Sequence, residues 1–124
     1  MDLLIKKLFK KSGSNTESNN IASMPNGCIA SNNLLSEKGE LKWCFRESPV
    51  NKMDSGWRFL SDIDTDEYLA DANNSSVCTL NTVIQIEPAI LSIINFPVGT
   101  DAELTVINGE KMFVDTNSKK PLNF

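Results

Sequence analysis

The sequence of 124 residues contains no histidine. A Ser-His-Asp triad and a Cys-His pair both rely on an imidazole as general base, so this chain can form neither. Histidine is also the commonest metal ligand of proteins, and no such ligand is available here. The absence removes several large classes of catalytic and metal chemistry and favours a function that depends on binding. We predict no cofactor and no metal site.

Cysteine is scarce and its arrangement is uninformative for metal binding. Cys28, Cys44 and Cys78 are widely spaced and form no Cys-x-x-Cys pair. An odd number would leave one thiol over in a disulfide framework, and a structural zinc site requires more ligands at closer spacing. We therefore predict three reduced, structural cysteines and a cytoplasmic protein.

Long apolar runs are missing, since no stretch approaches the roughly 20 residues of a membrane span. Residues 1–11 combine four lysines with apolar residues at helical spacing, which predicts a short basic amphipathic helix. Its charges follow the apolar run, unlike those of a signal peptide. We expect this helix to dock on the domain or to fray, and we do not expect contact with a membrane surface. The predicted division is a helix and linker over 1–20, one domain over 21–116 and a polar tail over 117–124.

Basic residues are absent between Arg58 and Lys111, a stretch that contains nine acids. The net charge of −4 is thus uneven, because residues 1–20 carry four lysines against two acids. An acidic domain repels nucleic acid and attracts basic proteins or cations. Ordinary solubilising charge is the alternative interpretation, and it remains open at this point.

Three segments in the first half have strand patterns. Residues 27–31 form a short apolar run, residues 41–47 alternate between apolar and polar, and residues 56–61 place two aromatics on one face. The polar segment 36–40 predicts a hairpin between the first two strands. The aromatics of the last two strands are expected in the core rather than in a ligand cage.

The acidic segment 62–74 has two interpretations. Asp64 followed by Glu67 has the spacing of a capping box, which predicts a helix with Asp64 as N-cap. A calcium loop starting at Asp62 would need Gly at its sixth place and Glu at its twelfth, where this sequence has Glu67 and Asn73. We therefore predict a capped helix.

The second half predicts further strands and a second helix. Residues 77–86 are rich in β-branched residues and should include a buried strand, and Pro88 suits the first position of a helix. Asn108-Gly109 between 103–107 and 111–114 is a strong signal for a hairpin. The whole pattern predicts a single small α+β domain. We expect a mainly antiparallel sheet of five to six short strands with two helices, besides the short N-terminal helix.

Several sequence blocks resemble those of the immunity-protein-33-like family, a bacterial domain formerly of unknown function. The resemblance runs from about residue 27 to 114, and the most specific block is Asp54-Ser-Gly-Trp-Arg-Phe with Asp66-Glu-Tyr downstream. Weaker matches are Gly27-Cys-Ile-Ala-Ser, Trp43-Cys-Phe-Arg-Glu-Ser-Pro-Val-Asn, Asn81-Thr-Val, Glu87-Pro-Ala-Ile and Pro97-Val-Gly-Thr. The resemblance implies a role in bacterial toxin–immunity systems, in which the protein binds and neutralises a cognate toxin.

The matched blocks supply the candidate functional residues. We hypothesise that seven of them form a polar surface that contacts a protein partner: Arg46, Asp54, Trp57, Arg58, Asp66, Glu67 and Tyr68. The alternative is structural: an Arg58–acid pair would pin the loop between strand and helix, while Trp57 and Tyr68 would fill the core.

Three functional classes follow. We predict an inhibitory binding protein, whose acidic face would suit the basic substrate cleft of a nuclease toxin. The alternative is a non-catalytic interaction or regulatory module, peripheral to the membrane if residues 1–11 bind lipid. An enzyme is disfavoured, because the cysteines lack an activating base and capping accounts for the carboxylate pair Asp64 and Asp66.

Overall fold

A computed structural model describes residues 24–122. The strands are β1 (Gly27–Ser31), β2 (Leu41–Arg46), β3 (Asp54–Ser61), β4 (Ser75–Thr79), β5 (Asp101–Ile107) and β6 (Glu110–Asp115). The helices are α1 (Asn32–Leu35), α2 (Asp66–Ala70) and α3 (Leu80–Ile86), with 3-10 segments at Ala72–Asn74 and Pro88–Ser92. These elements confirm the α+β class, although α1 was not predicted. The helix and linker predicted over 1–20 lie outside the described residues.

The six strands form one mixed sheet in the order β4-β1-β3-β2-β5-β6. Neighbours are antiparallel except β1 and β3, which run parallel. The predicted hairpin between the first two strands is wrong, because β3 lies between them. The chain turns out of β1 into α1, where Ser31 accepts a hydrogen bond from the Leu34 N–H at 3.2 Å. Burial of Leu34 against the sheet stabilises this crossover in place of a hairpin.

Each face of the sheet has its own apolar cluster. The larger cluster packs α1, α3 and the Pro88–Ser92 segment against one face and includes Trp57 and Phe59. Their rings stack with centroids 5.9 Å apart. The smaller cluster on the other face joins Phe45 and Leu60 to Leu69 of α2. The aromatics of β2 and β3 are therefore core residues, as expected.

The helix predicted over 62–74 is shorter than expected, and its predicted N-cap is wrong. α2 begins at Asp66, and Thr65 is the N-cap, with its hydroxyl accepting from the Tyr68 N–H at 3.1 Å. The Asp64 carboxylate instead accepts from the Ser61 N–H at 2.7 Å and from the Asn33 side chain at 2.9 Å. Asp64 thereby joins the end of β3 to α1, which leaves the capping role to its neighbour.

The segment 77–86 includes part of a strand, but this strand, β4, is not buried as predicted, because it lies at the edge of the sheet and leaves Val77 exposed. The strand ends at Thr79, whose hydroxyl accepts from the Thr82 N–H and caps α3. Leu80 and Val83 are buried at helical spacing on the same side of α3. Burial against the sheet thus overrides the β-propensity of this run.

The turn signals of the second half are confirmed. Pro88 is the first residue of a helical segment, although this segment is of the 3-10 type. Asn108 and Gly109 have φ of 54° and 83° and join β5 to β6. Beyond β6 the chain folds back, since Pro121 forms a bridge with Val114 and Leu122 packs on the core. Among the described residues, no helix is long and apolar enough to cross a membrane.

Candidate functional site

Six of the seven candidate residues divide between the two ends of the sheet, and Tyr68 packs on the smaller cluster instead. β3 begins with Asp54 at one end and finishes with Ser61 at the other. We call the first the arginine end, formed by Arg46, Glu47, Asp54, Trp57 and Arg58. We call the second the acidic end, formed by Glu37, Glu40, Asp62, Asp66, Glu67 and Asp71. The single polar surface inferred from the sequence is therefore not present as one patch.

A bulge in β3 brings Asp54 back to Arg58. In the pairing with β1, Gly27 lies opposite Asp54 and Ile29 lies opposite Arg58, so β3 advances four residues while β1 advances two. In a regular strand, four residues would span about 13 Å. Gly56 lies inside the bulge with φ of 91°, a backbone conformation that glycine adopts readily. A Cβ at this position would overlap the Glu47 carbonyl oxygen.

Arg58 is the centre of the arginine end. Its guanidinium holds Asp54 with two hydrogen bonds of 2.8 and 2.9 Å, and its Nε donates to Glu47 at 2.7 Å. A further bond reaches the Trp57 carbonyl oxygen at 3.0 Å. The Arg58 side chain has 0% exposure. A buried cation is stable in a protein when it is paired in this way.

Asp54 is equally well satisfied. Besides the two bonds from Arg58, its carboxylate accepts the backbone N–H groups of Val50 and Gly56, each at 2.9 Å. Burial opposes ionisation of this carboxyl, but the bonds from Arg58, Gly56 and Val50 together outweigh it and lower the pKa of Asp54. Burial likewise opposes the charge on Arg58, and the two carboxylates outweigh that effect and raise its pKa. Both groups stay charged at neutral pH.

Arg46 and Trp57 fix a second loop to the same end. The Arg46 guanidinium donates to the Ser55 carbonyl at 2.9 Å and to the Phe96 carbonyl at 2.8 Å. It lies 5.8 Å from the centre of the Trp57 ring, within the range of a cation–π contact. The Trp57 indole N–H donates to the Ile94 carbonyl at 3.0 Å. These bonds fasten the segment before β5 to the sheet.

The geometry at the arginine end agrees with the structural interpretation. Trp57 and Arg58 have 0% exposure and Asp54 has 7%, which leaves these side chains little surface for a partner. The loop that Arg58 pins joins β2 to β3, whereas the loop after β3 was expected. Glu47, the second partner of Arg58, was missed as a functional residue, although it lies inside one of the resembling blocks.

The acidic end has the opposite character. All six of its carboxylate residues are exposed. They lie in the segments that connect the strands at one end of the sheet, where β1 and β3 end and β2 begins. The pairing of Leu41 with Ser61 places the start of β2 beside the end of β3. The Glu40 N–H donates to Asp62 at 2.9 Å, which holds two of these connections together. Within residues 24–122, none of the six carboxylates takes part in an ion pair.

The three candidate residues of α2 also differ from one another. Asp66 and Glu67 are exposed in its first turn, where the helix dipole stabilises negative charge. Tyr68 is half-buried and packs on the cluster of Phe45, Leu60 and Leu69. Glu37 and Glu40, on the connection between α1 and β2, were not among the predicted residues, because only the fold brings Glu40 beside Asp62.

A shallow cavity of about 270 Å³ opens beside the acidic end. Glu40, Asp62 and Glu87 contribute carboxylates to its wall. Glu87 pairs with Lys111 at 2.6 Å, and this contact raises the pKa of Lys111. In the described part of the chain, no group of three or more carboxylates or thiols is placed to hold a metal ion.

These features define a small α+β domain with a largely buried arginine end and an exposed acidic end. The sequence profile of the Immunity protein Imm33 domain matches residues 28–115. The match covers most of the chain and confirms the resemblance, so this chain belongs to the Imm33 family. No curated protein and no solved structure matches it.

Proposed function

We propose that this protein is an immunity protein that neutralises a cognate protein toxin by binding it through the acidic end. Membership of the Imm33 family suggests a role in toxin immunity, and immunity proteins generally act without catalysis. The observation that carries the choice of surface is the set of six exposed carboxylates at one end of the sheet. A protein that acts by occupying a partner needs such an exposed and chemically distinct surface.

The charges of the acidic end are free to act on a partner. Lys42 and Lys111, the nearby lysines on the strands, pair with Glu103 and Glu87, which lie outside the six. Lys38 is the one basic residue on the connections that form this end. After Glu87, Glu40 also raises the pKa of Lys111, so the field of the six carboxylates is only partly neutralised. Such a field accelerates encounter with a basic partner and does so most strongly at low salt.

The partner that fits this surface is a basic protein. A nuclease toxin has a cleft that binds phosphates, and that cleft must be electropositive to do so. Carboxylates on a rigid sheet end can occupy such a cleft and exclude its nucleic-acid substrate. We propose a toxin of this chemical class, with the acidic end covering its substrate-binding surface.

The test uses the product of a neighbouring gene that encodes a toxin domain. The purified full chain and toxin are mixed, and the association rate is measured at salt concentrations from about 0.05 to about 0.5 M. The key variant removes four charges through Glu37→Gln, Glu40→Gln, Asp66→Asn and Glu67→Gln. We expect its association rate to fall by roughly tenfold or more at low salt, with the salt dependence largely lost.

A control variant neutralises two exposed lysines elsewhere. Lys52→Gln with Lys120→Gln changes exposed side chains outside the acidic end, and we expect its association rate to be no lower than that of the wild type. A four-charge variant that associates as fast as the wild type at low salt would contradict a specific role of the acidic end. Failure of the wild-type chain to bind its neighbour or to protect cells that express it would contradict the immunity function itself.

A further inference from the structure

Two of the three cysteines lie directly opposite each other across neighbouring strands. Cys28 of β1 pairs with Cys78 of β4, and their sulfur atoms are 3.6 Å apart. Two residues along the same ladder, the Leu80 N–H donates to the Asn26 carbonyl at 2.8 Å. Cys28 and Cys78 therefore occupy a hydrogen-bonded position, where Cα atoms are about 5.5 Å apart. Disulfides span about 4.4–6.8 Å between Cα atoms, so this separation suits one.

Cys44 provides the contrast within the same sheet. It lies on β2 opposite Phe59 and Ala102, and it has 0% exposure. Burial raises the pKa of the Cys44 thiol, which keeps it protonated and unreactive. The three thiols, alike in the sequence, thus divide into one inert core residue and one facing pair.

We propose that Cys28 and Cys78 form a redox-active dithiol, which low-molecular-weight disulfides convert into a cross-strand disulfide. In the first step the Cys78 thiolate attacks one sulfur of the disulfide RS–SR and releases RS⁻. In the second step Cys28 loses its proton and attacks the Cys78 sulfur of the mixed disulfide, which releases the second RS⁻. The two protein thiols lose two electrons, the small disulfide gains them, and the two thiol protons end on the two RSH molecules.

The roles of the two residues follow from their surroundings. Cys78 is half-buried on the edge strand β4, whereas Cys28 is 1% exposed. The hydrogen bond between them lowers the pKa of Cys78 and raises the pKa of Cys28, which burial raises further. Cys78 is therefore the residue that meets the external disulfide, and Cys28 is the one that resolves it.

Closing this bond changes the edge of the sheet. Among the described strands, β4 pairs with β1 alone and leaves Val77 80% exposed. A bond between Cys28 and Cys78 would tie this edge strand to the sheet through a loop of 50 residues. Constraining such a loop in the unfolded chain stabilises the folded state. This inference does not depend on toxin binding, because neither cysteine belongs to the acidic end or the arginine end.

The test treats the reduced full chain with oxidised glutathione, blocks the remaining thiols and maps the peptides by mass. We expect free thiols to fall from three to one, with Cys44 left free and a peptide that joins Cys28 to Cys78. The oxidised protein should unfold at a higher temperature than the reduced one, and dithiothreitol should reverse both changes. Wild-type protein that keeps three free thiols, or a disulfide that contains Cys44, would overturn the proposal.

Single variants separate the two steps. Cys28→Ala should stop at a stable glutathione adduct on Cys78. In Cys78→Ala, Cys28 should form a glutathione adduct more slowly than Cys78 does in Cys28→Ala. Cys44→Ala should close its disulfide as the wild type does. A stable adduct on Cys78 in the wild-type protein, with Cys28 still free, would overturn the resolving role. Because the wild-type peptide map decides the main point, a variant that fails to fold leaves the test intact.

Discussion

The arginine end and the acidic end place charges at opposite ends of one sheet and use them in opposite ways. Arg58 is fully buried and each of its contacts is supplied by the chain itself. The acidic-end carboxylates are exposed, and they make no ion pair within residues 24–122. The Asp54-Ser-Gly-Trp-Arg-Phe part of the most specific block therefore mainly describes how the domain holds together. The exposed acidic end takes Asp66 and Glu67 from the downstream part of that block, and its other four carboxylates lie outside the resembling blocks.

The difference has a physical cause. A charge removed from water must be paired, because an unpaired buried ion costs several kcal/mol. An exposed charge is solvated by water and contributes little to folding, yet its field reaches about 10 Å at moderate salt. The same residue types thus stabilise the fold at one end and remain available for recognition at the other.

The largest predicted effect is the loss of Arg58. Arg58→Ala leaves Asp54 and Glu47 without their buried partner, and we expect the free energy of unfolding to fall by about 3–5 kcal/mol. Urea denaturation followed by tryptophan fluorescence measures it. The free energy of unfolding of Arg58→Lys should lie between those of the wild type and Arg58→Ala, because lysine keeps the charge but cannot make the paired hydrogen bonds.

The matched control for Arg58 is Lys52→Ala in the loop that Arg58 pins, where we expect a change of about 0.5 kcal/mol or less. Measurements of toxin binding compare the two ends in a second way. The folded fraction of Arg58→Ala should bind the toxin with unchanged affinity, because the side chain is 0% exposed. A stable Arg58→Ala protein with weakened binding would reverse the roles assigned to the two ends.

The next effect comes from the bulge. Gly56→Ala combines a φ of 91° with overlap of the new Cβ and the Glu47 carbonyl, so we expect a loss of about 3 kcal/mol. Gly109→Ala is the control, because Gly109 has a similar φ of 83° but no atom within 4 Å of a new Cβ. Its expected cost is about 1 kcal/mol. Equal unfolding midpoints for the two variants would show that the close approach to Glu47 is unimportant.

The sequence predicts some elements of this fold and not others. The β5–β6 hairpin was predictable, because Asn108 and Gly109 encode their turn locally through positive φ. The parallel pairing of β1 with β3 was not, since it joins residues that are distant in the chain and leaves no turn signal. α3 was hidden for a related reason: its β-branched residues favour a strand, and burial of Leu80 and Val83 makes it a helix.

The contacts of the candidate residues also depend in part on pairing between distant segments of the chain. Asp54 and Arg58 are four positions apart in the sequence, and Gly56 between them indicates a tight turn or bulge. The structure has this bulge, and it brings the two side chains into contact. Glu47 reaches Arg58 across two paired strands, so its role required the register of the sheet. Tyr68 was correctly considered as a possible core residue, and it is half-buried on the smaller cluster.

A smaller effect should appear in the pH dependence. The pKa of Asp54 is lowered in the folded state, so its contribution to stability is present above its unfolded pKa near 3.8 and is lost as pH falls through the folded value. We expect the urea midpoint of the wild type to drop below about pH 4. Asp54→Asn should be less stable than the wild type at every pH, but its urea midpoint should fall less steeply as the pH is lowered.

Some acid dependence should remain in Asp54→Asn, because Lys119 lowers the pKa of Glu103 in the same direction. The double variant Asp54→Asn with Glu103→Gln should therefore have the flattest profile. An acid slope in Asp54→Asn equal to that of the wild type would mean that the buried pair is not responsible for it.

The smallest effect on stability is expected where the effect on binding is largest. Removing the four charges through Glu37→Gln, Glu40→Gln, Asp66→Asn and Glu67→Gln should change the free energy of unfolding by about 0.5 kcal/mol or less per position. Asp66 and Glu67 lose a favourable interaction with the dipole of α2, while the four changes together relieve repulsion among like charges. These contributions have opposite signs, so the urea midpoint should stay near that of the wild type. A loss as large as that of Arg58→Ala would make the acidic end a structural element, because carboxylates that brace the fold cannot be removed without unfolding it.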